Sequence, residues 1–164
     1  MQYMNKVFLL IGGNIGDRLQ NLHQAIALLS TTCGPVLQQS AVYETAAWGK
    51  TDQAAFLNQA LLLTTSLTPQ ALITTILSVE EEMGRLRMEK NGPRVIDIDI
   101  IFYNEVVVNE PNLIIPHPQL QNRRFVLVPL VEIAPDLVHP VLHKTIAQLL
   151  SACKDELPVV IFNS

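Results

Sequence analysis

Two aspartates one residue apart, Asp97 and Asp99, lie inside the run Val95 to Phe102, which is rich in β-branched residues and follows a Gly92-Pro93 turn signal. Side chains alternate along a strand at roughly 3.3 Å per residue, so both carboxylates project from one face about 7 Å apart, while Ile96, Ile98 and Ile100 project from the other. Paired anions on a mostly buried strand repel each other and lose hydration, and they need protonation, cationic partners or a metal ion between them. Oxygen-only ligation favours a hard cation such as Mg2+. The other use of such a pair is to cap a strand end or to pair with Arg94 and nearby surface cations. Arg85, Arg87, Lys90 and Arg94 place four of the 11 basic residues within ten positions directly ahead of the carboxylates. Cations beside a candidate metal site point to a polyphosphate ligand.

The elements that must position this stretch can be read on either side of it. Lys6 to Ile11 reads as a buried first strand, and Gly12-Gly13-Asn14-Ile15-Gly16 as a tight turn into a helix. No Gly-Lys-Ser/Thr follows these glycines and their spacing is not the dinucleotide fingerprint. Asp17 is placed to cap the helix, with Leu19, Leu22, Ile26 and Leu29 as its apolar stripe. Val36 to Tyr43 alternates as a second strand, Glu44 to Ala55 is a loop long enough to be functional, and Phe56 to Thr65 is a third strand. Thr68-Pro69 opens a second helix whose stripe is Leu72, Ile73, Ile76, Leu77 and Met83, ending at Gly84. Glu80 falls on or beside that stripe, either as a helix pair partner or as a functional carboxylate.

Beyond the aspartates, Asn104-Glu105 is expected to turn the chain into a short strand pair from Val106 to Val108. Pro116-His117-Pro118 fixes an extended segment in which His117 is either structural or a ligand contact. Phe125 to Ile133 reads as a helix despite Pro129, helical signals resume from Thr145 to Leu150, and Val159 to Phe162 is a last strand. This order suits a ferredoxin-like α+β sandwich, a mainly antiparallel sheet with its helices on one face and an extra hairpin.

At 164 residues and 49% hydrophobic content, the chain is expected to form a single domain over residues 1–164. A net charge of −4 argues against nucleic acid or an anionic membrane as the main partner. The basic residues are local, so the expected partner is a small anion. Cys33 and Cys153 lack metal-ligand spacing and read as reduced thiols. The N-terminal apolar run is too short for a signal peptide core or a membrane span, so the expected location is cytoplasmic.

At Gly92-Pro93-Arg94-x-x-Asp97-Ile98-Asp99-Ile100 the sequence resembles the 6-hydroxymethyl-7,8-dihydropterin pyrophosphokinase family of folate biosynthesis. The likeness extends through Tyr43-Glu44-Thr45, Phe56-Leu57-Asn58, Gly84-Arg85-Leu86-Arg87, Pro116-His117-Pro118 and Arg123-Arg124-Phe125 to Glu132-Ile133-Ala134-Pro135. The resemblance implies transfer of the β,γ-diphosphoryl unit of ATP to the hydroxymethyl oxygen of a dihydropterin, releasing AMP. By the same likeness Asp97 and Asp99 hold two Mg2+ ions, and Arg85 and Arg94 clamp phosphate oxygens. Glu80, Arg87, Ile100, His117 and Arg123 join them around ATP. The pterin sits between Phe56 and Phe125, with Asn58 reading its edge and Thr45 and Trp48 completing the pocket. Without the resemblance, Phe56 and Phe125 read as core. Departures from the family pattern are Asn91, where an aromatic is common, and Ala46-Ala47, where proline is common.

The expected partners are therefore ATP and 6-hydroxymethyl-7,8-dihydropterin, bound by a monomer. The rival reading is a non-catalytic ferredoxin-like module that binds a metabolite and regulates another protein; it leaves the carboxylate pair beside the arginines unexplained. An RNA-binding domain on the same fold lacks the exposed strand aromatics and basic surface it needs.

Overall fold

The computed structural model describes residues 4–46, 53–84 and 93–163. Its centre is strand β1 (Asn5–Gly13), which is continuously buried from Val7 onward. An unbroken apolar run marks a strand covered on both faces. β1 pairs antiparallel with β4 (Phe56–Thr65) on one side and β5 (Asp97–Tyr103) on the other. β2 (Val36–Gln39) and β3 (Tyr43–Thr45) share the far edge of β4, and β8 (Val159–Ile161) pairs with β3.

Alternation along β1 divides the core in two. Val7, Leu9 and Ile11 face helices α1 (Arg18–Thr32) and α2 (Pro69–Glu82). Phe8 and Leu10 face α3 (Arg124–Ile133) and α4 (Ile146–Ala152). The sandwich is ferredoxin-like as expected, but helices cover both faces of the sheet rather than one. The cause is the second apolar set, Phe8, Leu10, Ala60, Ile101 and Phe102, which would otherwise lie in water.

A bulge in β5 decides which face the aspartates use. Phe8 pairs with Phe102 but Leu9 pairs with Ile100, which leaves Ile101 as the extra residue. Ile101 and Phe102 therefore both enter the α3/α4 core, whereas Ile98 and Ile100 remain with the α1/α2 core. Asp97 and Asp99 share the α3/α4 face, beyond the end of its apolar packing.

Several local expectations are corrected. The aspartate strand begins at Asp97, not Val95, because Asn14 takes both backbone groups of Arg94: its N–H donates to the Arg94 carbonyl at 2.8 Å and its Oδ1 accepts from the Arg94 N–H at 2.8 Å. Gly12 and Gly13 belong to β1, so the turn starts only at Asn14. Val36 to Tyr43 is broken into β2 and β3 at Ser40, whose hydroxyl accepts from the Ala60 N–H at 2.9 Å in place of a ladder carbonyl. The turn after β5 does not return a strand to it. Asn104, at φ 47°, closes against Lys6 instead, and β6 (Val108–Glu110) pairs with β7 (Leu113–Ile115) as a separate hairpin. On α2, Leu77 is 40% exposed and Val79 takes its place in the core. The caps follow the sequence reading: Asp17 accepts from Gln20 and Thr68 from Ala71, both at 3.1 Å.

α3 is tied to the sheet by Glu132, which accepts from the Tyr43 hydroxyl and from the Ala41 N–H. Burial, followed by that hydrogen bond and the charge of Glu132, pushes the Tyr43 phenol up to about 12.

His139 carries a pH-dependent share of stability. It is buried, packs edge-on against Phe102, and accepts at Nδ1 from the N–H groups of Val141 and Leu142 at 3.1 and 3.0 Å. Only the neutral ring can accept there. Burial, then the charge of His143, holds its pKa below the ordinary histidine value. The unfolded chain thus binds this proton more readily. The stabilisation is complete above about pH 6.5 and is lost as pH falls from there through the folded-state pKa. His139→Asn keeps an acceptor but does not titrate, so its melting temperature should fall less than the wild type's between pH 7 and pH 5. Equal falls in the two proteins would remove His139 as the cause.

Candidate functional site

Strand register assembles the site. Gly12 pairs with Asn58 on one side and Asp97 on the other, and Leu10 pairs with Ala60 and Asp99. Directly opposed residues point to the same face, so Asn58, Gly12 and Asp97 form one row across three strands. Thr45 pairs with Phe56 at the adjoining end of β3. The row floors a cavity of about 300 Å3.

The cavity lining is acidic at Asp97 and Asp99, both half-buried, and basic at Arg94, His117 and Arg123. Phe56 and Phe125 supply two aromatic surfaces, while Thr45, Ala46, Asn58, Gly12 and Leu10 complete the lining. The Thr45 hydroxyl oxygen is buried and has no hydrogen-bond partner among the described residues. A buried polar atom without a partner in the wall of a cavity marks a place for a ligand's hydrogen bond.

His117 enters from the segment that follows the cis Ile115–Pro116 bond. Its N–H donates to the Ile101 carbonyl at 3.1 Å, and its Nδ1 accepts from the Gln119 N–H at 3.1 Å. Burial first, then the charge of Arg123, lowers its pKa, with Asp97 acting in the opposite sense. The neutral ring therefore carries its proton on Nε2, as a donor. The guanidinium of Arg123 lies over the Phe125 ring, 5.8 Å from its centroid, which joins the cationic wall to the aromatic one. Arg124 begins α3 with its N–H donating to Asp155 at 3.1 Å.

Two residues brace the rim. The Asn14 side chain donates to Gln53 Oε1 at 3.0 Å and to the Ala54 carbonyl at 2.9 Å while it accepts from Arg94. It links the approach to β4 with the approach to β5. Arg18 pairs with Glu44 at 2.6 Å, donates to the Ala55 carbonyl at 2.9 Å and lies over Phe162, which holds the ends of β3 and β4 together.

Of the residues expected from sequence, Thr45, Phe56, Asn58, Arg94, Asp97, Asp99, His117, Arg123 and Phe125 meet in this cavity. Glu80 does not line it. It is 2% exposed, and its carboxylate accepts from the Ile98 N–H at 2.7 Å. Among the described residues β5 is an edge strand, so Glu80 supplies an acceptor on its outer side and fixes the backbone between the two aspartates. Ile100 is also outside the cavity, 5% exposed in the α1/α2 core. Trp48, Arg85 and Arg87, together with Ala47 and Asn91, lie outside the described residues. Sequence reading missed Leu10, Ala46 and the floor position of Gly12, none of which has a reactive side chain. It also missed Asn14 as a brace, since its partners are distant in sequence.

A family model described as 7,8-dihydro-6-hydroxymethylpterin-pyrophosphokinase matches residues 8–135. A 2-amino-4-hydroxy-6-hydroxymethyldihydropteridine pyrophosphokinase of Synechocystis is 47% identical over 141 residues, 85% of this chain and 72% of the relative. The protein of the same name from Methylorubrum extorquens is 47% identical over 136 residues, 82% of this chain and 86% of the relative. The one from Aquifex aeolicus is 42% identical over 145 residues, covering 88% and 90%. Among solved structures, wild-type Plasmodium falciparum HPPK-DHPS superimposes with a TM-score of 0.76 at 19% identity, over 92% of this chain. The chain spans 43% of that longer protein, and the likeness is one of fold.

Proposed function

The chain belongs to the 7,8-dihydro-6-hydroxymethylpterin-pyrophosphokinase family, and on that premise we infer how its cavity transfers the diphosphate of ATP to the hydroxymethyl group of 6-hydroxymethyl-7,8-dihydropterin. The observation that carries the reading is the meeting of three chemistries in one cavity: paired carboxylates, cationic donors, and an aromatic pair beside a carboxamide.

The flat ring of the pterin fits between Phe56 and Phe125, with the Asn58 carboxamide and the orphaned Thr45 hydroxyl available to its polar edge. Arg94 and Arg123 bind polyphosphate oxygens through planar, multidentate donors, and His117 adds an Nε2–H. Arg85 and Arg87 are assigned to the same polyphosphate, and Trp48 to the pterin pocket, on the strength of the motif match. Glu80 serves at one remove, by fixing the strand that carries the aspartates.

Asp97 and Asp99 fit Mg2+. Among the described residues no group of three or more His, Cys, Asp or Glu side chains could hold a metal ion. A pair of carboxylates is nevertheless the usual protein share of a Mg2+ site whose remaining ligands are phosphate oxygens and water. We assign two such ions to the pair; when bound, they neutralise developing phosphate charge and acidify the attacking hydroxyl.

In the reaction the hydroxymethyl oxygen attacks the β-phosphorus. A new oxygen–phosphorus bond forms, the bond from the β-phosphorus to the α,β-bridging oxygen breaks, and AMP leaves while the hydroxyl proton passes to solvent. The test is the product. ATP, Mg2+ and the reduced hydroxymethylpterin should give AMP and a pterin carrying two phosphorus atoms, read by phosphorus NMR or mass. Stoichiometric ADP with a monophosphorylated pterin would overturn the assignment.

The proposal extends to a single domain over residues 1–164, supported by the pairing of C-terminal β8 with β3, and to a cytoplasmic monomer acting on small molecules alone. The net charge of −4 supports the exclusion of nucleic acid and anionic membranes, and no described helix is long and apolar enough to cross a membrane.

A further inference from the structure

We propose that Gly12 is a positioning residue for the pterin: its missing side chain lets the Asn58 carboxamide lie across the central strand, toward the carboxylates. The inference rests on the pyrophosphokinase reading above.

Glycine inside a central strand weakens it and needs a reason. Conformation is not the reason, since the glycines with positive φ are Gly16, Gly34 and Gly84. Space is. A Cβ on Gly12 would stand 2.2 Å from Asn58 Oδ1, 3.2 Å from Asn58 Cγ and 2.7 Å from the Leu57 carbonyl oxygen. The carboxamide thus occupies the volume that any other residue at position 12 would fill.

The row geometry gives that contact its meaning. Asn58 and Asp97 lie two strand spacings apart, roughly 10 Å, with Gly12 between them. A ring edge bound by a carboxamide that stood upright on β4 would sit a full strand away from the carboxylate wall. Laid over Gly12, the same group draws the ring edge onto β1, one strand closer to the carboxylates. The distance between the ring-reading group and the phosphate end of the cavity is thus set by an absent methyl.

The test separates this role from simple strand packing by a cycle of Gly12→Ala, Asn58→Ala and the double variant, each titrated by fluorescence with 6-hydroxymethyl-7,8-dihydropterin and, separately, with MgATP. If Gly12 acts through Asn58, each single change should weaken pterin binding about tenfold or more, and the double variant should be no weaker than Asn58→Ala within about threefold. ATP affinity should stay within about threefold of wild type. Penalties that multiply in the double variant, or wild-type pterin affinity in Gly12→Ala, would overturn the proposal.

Because the contact with the Leu57 carbonyl could unfold Gly12→Ala, Asn58→Gln is measured beside it. That change leaves β1 untouched and keeps the amide while lifting it by one methylene. It should cost pterin about tenfold with ATP unchanged, and pterin binding equal to wild type would overturn the proposal independently. A wild-type protein that binds no pterin would instead remove the function reading itself.

Discussion

Asp97→Asn and Asp99→Asn, each made alone, should lower kcat by roughly a hundredfold or more, the scale set by losing one preorganised group from a phosphoryl-transfer site. The substitution keeps the shape of the side chain and removes its charge, so it tests the anionic ligand rather than packing. The fold should survive in both variants. The residues that seat this segment are Ile96, Ile98 and Ile100 on the opposite face, together with the Glu80 carboxylate on the Ile98 amide, and neither change touches them. The two variants should also need more Mg2+ for half-maximal rate, because an amide oxygen is a poorer ligand for a hard cation. Near-normal turnover in both, at ordinary Mg2+ concentrations and with unchanged melting, would sink the assignment of the pair to metal.

That prediction was open to sequence reading because strand alternation alone puts residues 97 and 99 on one side, whatever the rest of the chain does. The same local logic placed β1, β4 and the first two helices, whose apolar spacing and caps at Asp17 and Thr68 need no knowledge of distant partners. The misplaced features depend on what lies across the sheet. Ser40 interrupts its strand by offering a hydroxyl to Ala60, twenty residues away, and nothing in the local alternation signals that exchange. Asn104 turns away from β5 because its side chain and backbone meet Lys6. Glu80, a nucleotide contact by resemblance, is 2% exposed and its carboxylate accepts from the Ile98 amide, a strand partner that helix periodicity does not signal.

The site divides along the same line. Carboxylates, arginines and His117 announce themselves by type. Gly12 becomes informative only when register sets it between Asn58 and Asp97, and Asn14 only when its contacts with Gln53, Ala54 and Arg94 are known. Phe56 and Phe125 are the instructive middle case. Periodicity reads both as core, yet each is half-buried at the cavity, Phe56 at the start of β4 and Phe125 in the first turn of α3, where the apolar packing gives way to the cavity.

Phe125→Ala should weaken pterin binding by about 1–3 kcal/mol, roughly fivefold to a hundred-and-fiftyfold, the range for removing one aromatic face from a stacked heteroaromatic base. Binding of ATP should change far less. Its only expected loss comes through Arg123, which lies 5.8 Å from the centre of the Phe125 ring and would lose a contact worth about 0.5–1 kcal/mol at an exposed site. Phe125 also packs against the α3/α4 core from the first turn of α3, so the alanine variant should melt earlier, and lost affinity must be separated from lost structure. Phe125→Leu makes that separation, since it restores apolar volume without a π face. If stacking is what the ring contributes, the leucine variant should recover most of the melting temperature but little of the pterin affinity. Calorimetry on both variants, with pterin and with MgATP, would decide the matter: a larger loss for ATP than for pterin would assign the Phe125 ring to the nucleotide and leave Phe56 alone against the pterin.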